Sequence, residues 1–277
     1  MSYKKLLTIQ DISCVGQCSL TVALPVISAC GIETCVLPSA VLSTHTGGFS
    51  GYTFRDLTDD MPDIQKHWQK ENIKFDAIYT GYLGSKKQIE YVKNIFSSSG
   101  TKSCIKIVDP AMADNGKLYP GFNNEFVKSM KTLCVSADYV IPNLTEACLL
   151  TDTEYKTEYD KEYIDLILKK LTELGCKNII FTGVSYKKDK TGVVVFENGE
   201  YSYYEHDLLP NSCHGTGDIY ASAFAGALLR GKSVFEAAKI AADYAIECIK
   251  ATAEEKNHWY GAKFEPVLSK LIEMVNN

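Results

Sequence analysis

Residues 75–110 read FDAIYTGYLGSKKQIEYVKNIFSSSGTKSCIKIVDP, and this stretch decides the fold class. It contains an apolar run from Phe75, a helical pattern over residues 85–96 and a second apolar run from Cys104. Short, continuous apolar runs with many β-branched and aromatic residues are typical of strands that are buried on both faces. The order strand, helix, strand therefore predicts two parallel strands joined by a crossover helix.

The same alternation extends in both directions along the chain. Similar apolar runs are LLTIQ from Leu6, IETCVL from Ile32, YVIPN from Tyr139 and NIIFTG from Asn178. Helical patterns also cover residues 122–134 and 163–174, and the second is followed by Gly175, a residue typical of helix C-caps. The sequence therefore predicts an α/β fold with a mostly parallel central sheet and helices on both faces.

The pattern changes after Gly192, where GVVVFENGEYSYYEH contains two strand-like runs joined by Asn198-Gly199. This dipeptide tolerates the positive φ angles of a tight turn, so we expect a late β-hairpin. Helical patterns rich in small residues follow over residues 219–229 and 234–250. No Pro/Gly/Ser-rich linker divides the chain, so residues 1–277 are expected to form one domain.

Composition excludes several classes of function. The chain has 277 residues, with 29 Lys and Arg against 34 Asp and Glu, and no basic run that would suit nucleic acid. No apolar run approaches the roughly 20 residues that span a bilayer, and no signal-peptide core is present, so we expect no membrane partner and a cytoplasmic location. The ten cysteines form no C-x-x-C pair, which argues against zinc and favours reduced structural thiols.

The strongest local motif is Gly215-Thr216-Gly217-Asp218, which lies between the predicted hairpin and an Ala-rich helix. Glycines let the backbone approach a ligand closely, and the free N–H groups at a helix N-terminus favour an anion. Asp218 is then either a simple helix cap or a general base beside a phosphate-binding turn.

Polar residues follow the other predicted strands, where ligands bind in open α/β sheets. Asn143 and Glu146 form a capping-box pattern, although a carboxylate at this place also suits Mg²⁺. Asp109 and Asp114 are either turn residues or members of the same group of ligand-binding residues at the strand ends.

Taken together, the motifs resemble the pyridoxal (vitamin B6) kinases of the ribokinase-like superfamily. The resemblance covers residues 5–250 and depends on HGTGD, TIQDIS, STHTGG, TGYLGS, VDPAMADNGKLY and ADYVIPNLTEACLLT, in the family's order. It implies a ribokinase-like fold and ATP-dependent phosphorylation of the 5′-hydroxymethyl group of pyridoxal, pyridoxamine or pyridoxine. By the same resemblance Asp218 is the base, and the N–H groups of Gly215, Thr216 and Gly217 form an anion hole.

The resemblance also implies the ligand sites. ATP would contact polar residues at the strand ends, namely Asp109, Asp114, Asn143, Glu146, Thr182 and Gly183. Asp114 and Glu146 would hold Mg²⁺, and a monovalent cation such as K⁺ would lie near the anion hole. The vitamer would contact Asp11, Thr46, Tyr82, Tyr119 and Asp218. Relatives are commonly homodimers, so a homodimer is expected here.

The chain departs from the family at two positions. Many pyridoxal kinases have Ser where this chain has Asp11, and an aromatic residue where it has Gly48. A carboxylate at position 11 suits a protonated pyridine nitrogen or an amine. A hydroxymethylpyrimidine kinase, another ribokinase-like kinase, and a vitamer-binding protein without catalysis therefore remain alternatives. The related pyrimidine kinases place a catalytic cysteine where this chain has Asp218, and Cys213 is a weaker candidate nucleophile.

Overall fold

The computed structural model describes residues 3–210, 213–255 and 257–277. The strands, in chain order, are β1 (Lys5–Ser13), β2 (Glu33–Leu42), β3 (Phe54–Asp56), β4 (Phe75–Thr80), β5 (Gly100–Val108), β6 (Ala113–Asp114), β7 (Lys117–Leu118), β8 (Tyr139–Val140), β9 (Asn178–Val184), β10 (Lys190–Glu197) and β11 (Glu200–Asp207). The helices are α1 (Leu20–Ala29), α2 (Met61–Lys70), α3 (Lys86–Ser98), α4 (Asn124–Ser136), α5 (Leu144–Leu150), α6 (Lys161–Leu174), α7 (Thr216–Leu229), α8 (Val234–Ala253) and α9 (Leu268–Asn276).

A central sheet joins most of these strands. Its order is β11-β10-β9-β8-β5-β4-β1-β2-β3, and the six strands from β9 to β2 in that order run parallel. The hairpin β10–β11 adds antiparallel strands at one edge and β3 adds one at the other. The predicted mostly parallel α/β fold with a late hairpin is therefore confirmed.

The sheet is buried on both faces. Tyr79 of β4 belongs to the core under α1, α7 and α8, while its neighbour Ile78 belongs to the core under α3, α4 and α6. Successive side chains of a strand point to opposite faces, so both must be apolar. This is why the strands read as continuous apolar runs.

Most predicted elements differ from the observed ones only at their ends. The helix predicted from residue 122 begins at Asn124, because the Asn123 side chain caps it by accepting from Phe126 N at 3.1 Å. The hairpin turns at Asn198 and Gly199, which have φ angles of 54° and 87°. The run YVIPN contributes only Tyr139–Val140 to the sheet, since Pro142 and Asn143 lead into α5.

The sequence patterns did not predict α1, α2, β3 or α9. Helix α1 has the sequence LTVALPVISA with Pro25 inside it. A proline removes a helical hydrogen bond, so it usually argues against a helix interior. Burial of Val22, Ala23, Val26 and Ile27 against the sheet stabilises the helix despite Pro25. Among the described helices, none combines the length and the apolar character needed to cross a bilayer.

Candidate active site

A cavity of about 360 Å³ lies at the carboxyl ends of the parallel strands. The predicted site residues that line it are Asp11, Thr46, Tyr82, Asp109, Asp114, Tyr119, Asn143, Glu146, Gly215, Gly217 and Asp218. Three others lie outside the lining. Thr182 bonds to Pro142 O through its N–H and its hydroxyl, Gly183 follows it on β9, and the Thr216 hydroxyl turns back to Cys213 O.

The anion turn, residues 215–217, begins helix α7. Gly215 has φ 77°, and a Cβ there would lie 1.8 Å from the Gln17 carbonyl oxygen. A side chain is therefore excluded by both backbone conformation and space. Around Gly217 a Cβ would meet no atom within 4 Å, so the turn faces open space on its cavity side. Helix N-termini attract anions through their free N–H groups and dipole, so this turn suits a phosphoryl group.

Asp218 lies in the first turn of α7, half-buried beside the anion turn. Its Oδ2 accepts from Ser19 N at 2.9 Å. Burial raises the pKa of Asp218 to about 7, with a smaller contribution from the charge of Asp11, while the Ser19 N–H opposes the rise. A carboxyl with a pKa near neutrality is well matched to general-base catalysis.

Ser19 holds its N–H at Asp218 through an unusual backbone conformation, with φ 53° and ψ −130°. Such a conformation in a non-glycine residue costs on the order of 1–3 kcal/mol and is concentrated at functional sites. Ser19 was not predicted as a site residue, because the signal is backbone strain, which a sequence does not display.

Asp11 is 5% exposed and lines the cavity near the end of β1. The pairing of β1 with β2 is irregular between Gln10 and Ile12, and such irregularities redirect side chains. The Ser13 hydroxyl donates to Asp11 Oδ2 at 3.1 Å. Burial raises the pKa of Asp11, and the described cavity lining contains neither Lys nor Arg to compensate its charge.

Three further carboxyls, Asp109, Asp114 and Glu146, also line the cavity. Glu146 is 2% exposed and completes the predicted capping box with Asn143, while its Oε1 also accepts from Met112 N at 3.1 Å. Burial raises the pKa of Glu146 to about 7. It also raises the pKa of Asp109, with the charges of Glu146 and Asp218 adding to the effect.

This acidic group fits a hydrated divalent cation. Asp114 is exposed, and its two oxygens accept from Asn115 N (2.8 Å) and Asn115 Nδ2 (3.0 Å). The described residues contain no group of three or more His, Cys, Asp or Glu side chains arranged to hold a metal alone. Mg²⁺ usually takes one or two carboxylates together with water and substrate phosphates, so the donors present here suit it.

Aromatic and hydroxyl groups complete the lining. The ring of Tyr82 stacks on Phe122, with centroids 5.4 Å apart and planes at 29°, and Phe122 stacks in turn on Phe126. Burial raises the pKa of Tyr82 to about 12, so its hydroxyl is neutral near pH 7. Tyr82 therefore offers a flat apolar face to a ring ligand, with Thr46 and Tyr119 on the same lining.

Several lining residues were missed by the sequence patterns, namely Ser13, Cys18, Ser19, His45 and His214. Cys213, the candidate nucleophile, does not line the cavity, whereas Cys18 does. Burial first, and then the charges of Asp218 and Asp11, raise the pKa of Cys18 far above its usual range. The Cys18 thiol is therefore protonated, which argues against a thiolate nucleophile.

Residues 226–233 read GALLRGKS, which matches the spacing of a phosphate-binding P-loop. A P-loop requires a strand before the glycine-rich loop. Here Gly226 lies inside α7, and Ser233 caps α8 by accepting from Glu236 N. The match is therefore a helix–helix connection and not a phosphate site.

The chain is similar to known proteins over most of its length. Residues 23–263 match the family described as phosphomethylpyrimidine kinase. A candidate phosphomethylpyrimidine kinase of Bacteroides thetaiotaomicron, solved in an orthorhombic form with pyridoxal, is 36% identical, with TM-score 0.91 over 100% of this chain and 96% of that one. The pyridoxal kinase of Lactobacillus plantarum is 29% identical, with TM-score 0.91 over 99% and 98%. The pyridoxal kinase of Dictyostelium discoideum is 26% identical over 82% of this chain and 78% of that protein.

Proposed function

The chain belongs to the phosphomethylpyrimidine kinase family, and from this premise we propose that it is an ATP-dependent kinase of vitamin B6. It transfers the γ-phosphoryl group of ATP to the 5′-hydroxymethyl group of pyridoxal, pyridoxamine or pyridoxine. The two relatives named pyridoxal kinase, and the pyridoxal in the Bacteroides structure, support this substrate class. The observation that carries the proposal is the carboxyl of Asp218 beside an anion turn in one cavity.

The geometry supports a direct transfer. The 5′-hydroxyl gives its proton to the Asp218 carboxylate while its oxygen bonds to the γ-phosphorus, and the bond from that phosphorus to the ADP oxygen breaks. The N–H groups of residues 215–217 donate to the oxygens of the transferring phosphoryl group. Because phosphoryl transfer depends mainly on positioning and charge stabilisation, the anion turn and the base act together.

The proposed nucleotide site is the acidic group of the cavity lining. Asp114 and Glu146 would hold Mg²⁺ and its water, and Asp109 and Asn143 would contact ATP. When bound, Mg²⁺ neutralises charge on the phosphate oxygens. Thr182 and Gly183, on the neighbouring strand β9, would contact the nucleotide beyond the cavity. A monovalent cation near the anion turn belongs to the same proposal.

The vitamer would lie beside Asp11 and Tyr82, which line the same cavity. Tyr82 would pack on the pyridine ring, with Thr46 and Tyr119 contacting its substituents. Asp11 would accept a hydrogen bond from a protonated ring nitrogen or amine, because no Lys or Arg of the described lining pairs with it.

A panel of substrates tests the proposal. ATP consumption is measured with pyridoxal, pyridoxamine, pyridoxine and hydroxymethylpyrimidine, each titrated to give kcat/KM. We expect the vitamers to give the higher values. A clear preference for the pyrimidine would support the second candidate, a hydroxymethylpyrimidine kinase, which the family description and the carboxylate of Asp11 favour. No turnover with any of them would support a binding protein.

The pKa of Asp218 predicts a pH dependence. The base must be ionised to accept a proton, and burial raises its pKa to about 7. Hence kcat with saturating pyridoxine should fall as the pH drops through about 7, since the carboxyl is then protonated. The check is a series of kcat measurements from about pH 5.5 to 8.5 beside a thermal unfolding series. A kcat that stays level across this range would contradict the assignment.

Replacing Asp11 tests its proposed hydrogen bond to the vitamer. In Asp11→Asn the charge is lost while the shape is kept, so kcat/KM for the three vitamers should fall roughly tenfold to a hundredfold, as for a charged hydrogen bond. Asp11→Ser is the companion variant, because a hydroxyl can still bond to the ring. Unchanged kcat/KM for every vitamer in Asp11→Asn would remove Asp11 from the site.

The same proposal includes three features of the whole protein. The kinase domain spans residues 1–277, the protein works as a homodimer, and it resides in the cytoplasm. Mass measurement in solution and cell fractionation check the last two.

A further inference from the structure

The indole of Trp259, which is 52% exposed, lies against Gly48. This glycine has φ 82°, and a Cβ there would lie 2.8 Å from Trp259 Cζ3. The indole also packs on Phe49, with ring centroids 4.6 Å apart. Gly48 and Phe49 end the substrate loop, residues 43–49, which carries Thr46 into the cavity. The place of an aromatic side chain at position 48 is thus taken by an aromatic ring from a distant part of the chain.

The segment that carries Trp259 also holds His45. We call this segment, residues 257–262, the C-terminal strap. His45 is 5% exposed, and its Nδ1 accepts from Gly47 N at 3.0 Å. The proton must then lie on Nε2, which is 2.6 Å from Tyr260 O and donates to it. The His45 ring therefore links the substrate loop to the backbone of the strap.

A third set of contacts joins the strap to residues that flank the anion turn. Ala262 N donates to His214 O at 3.0 Å, one residue before Gly215. Gly261 forms an isolated bridge with Gln17, whose carbonyl oxygen closes the space behind Gly215. The strap thus contacts the loop that faces the vitamer and, through His214 and Gln17, the residues next to the turn that faces the phosphoryl group.

We propose that Trp259 is a positioning residue, which holds the substrate loop in its vitamer-binding conformation from outside the cavity. This inference rests on the proposed function, because the loop has a substrate to position only if the site binds a vitamer. Trp259 does not line the cavity, so it acts through Phe49, Gly48 and the strap contacts of His45. Its loss should weaken vitamer binding and leave the chemical step largely intact.

The test compares four variants by KM and kcat with pyridoxine and by KM for ATP. Trp259→Ala removes the indole ring, and Gly48→Ala adds a Cβ that would clash with this ring. Both should raise KM for pyridoxine about threefold to tenfold, the range of an aromatic contact, with kcat and KM for ATP within about twofold. Trp259→Phe should recover most of the loss. Gly51→Ala is the matched control, because Gly51 has φ 69° but no atom within 4 Å of its Cβ position.

Fluorescence gives a second readout. The chain has two tryptophans, so Trp68→Phe leaves Trp259 as the single indole. Its emission should change saturably with pyridoxine at concentrations near KM, and Gly48→Ala should alter the emission of the free protein. Thermal unfolding identifies any variant that fails to fold. If Trp259→Ala fails to fold, the kinetics of Gly48→Ala and Trp259→Phe test the proposal instead.

The outcomes separate the two proposals. If the wild type is active and KM for pyridoxine is unchanged in both Trp259→Ala and Gly48→Ala, the role of Trp259 is overturned and the proposed kinase function is kept. Equal effects of Gly48→Ala and Gly51→Ala would do the same, because backbone strain would then explain both. A wild type that phosphorylates no vitamer would overturn the proposed function and this inference with it.

Discussion

Asp218→Asn should lower kcat by about 10²–10⁴, the usual contribution of a general base, with little change in folding or nucleotide binding. The amide keeps the size of the side chain and can still accept from Ser19 N, the partner observed at 2.9 Å. It cannot accept the proton of the substrate hydroxyl. Steady-state kinetics with pyridoxine, combined with nucleotide binding by calorimetry, measure the two quantities separately.

The control for this prediction is Asp63→Asn. Asp63 lies in the first turn of α2, as Asp218 lies in the first turn of α7. Both carboxylates interact favourably with a helix dipole, an effect of about 0.3–1 kcal/mol at exposed positions. Asp63→Asn should therefore lower stability slightly and leave kcat unchanged. Equal kinetics in the two variants would mean that Asp218 only stabilises its helix, because the N-cap of α7 is Gly215.

Gly215→Ala should lower kcat by about 10²–10³, comparable to the loss of an oxyanion-hole donor. The new Cβ would lie 1.8 Å from the Gln17 carbonyl oxygen at a φ of 77°, so the turn must move. Displaced N–H groups no longer meet the transferring phosphoryl oxygens. Steady-state kinetics give kcat, and KM for pyridoxine should change less, because the turn acts on the phosphoryl group.

Gly231→Ala separates this effect from backbone strain. Gly231 has φ 90° after the C-terminus of α7, and its Cβ position meets no atom within 4 Å. The substitution should lower the melting temperature, because alanine is strained at this φ, while kcat remains that of the wild type. If both variants kept full kcat, the anion turn would have no part in transfer.

The sequence predicted the parts of the fold that depend on periodicity. Strands buried on both faces gave continuous apolar runs, and the Asn198-Gly199 turn had a specific signal. Helix α1 was missed because Pro25 contradicts a helix locally, and only packing against the sheet overrides it. Local sequence does not contain that packing.

The sequence predicted those site residues that directly follow the parallel strands. Asp11 and Asn143 follow apolar runs, so their meeting at one edge follows from parallel topology. Ser19 contributes through backbone strain, and His45 through a bond to Tyr260, which is 215 positions away. Neither contribution has a local pattern, since both depend on the folded chain.

The C-terminal strap has a consequence for synthesis of the protein. Synthesis delivers the N-terminal residues first, and chains of this size commonly populate folding intermediates with native-like secondary structure. The parallel strands of the sheet are complete once Val184 has emerged, yet the substrate loop and His214, beside the anion turn, still lack their partners in residues 257–262. A nascent chain can therefore pair its parallel strands long before its catalytic centre is complete, and the contacts of the centre are complete only when the C-terminal strap has been synthesised.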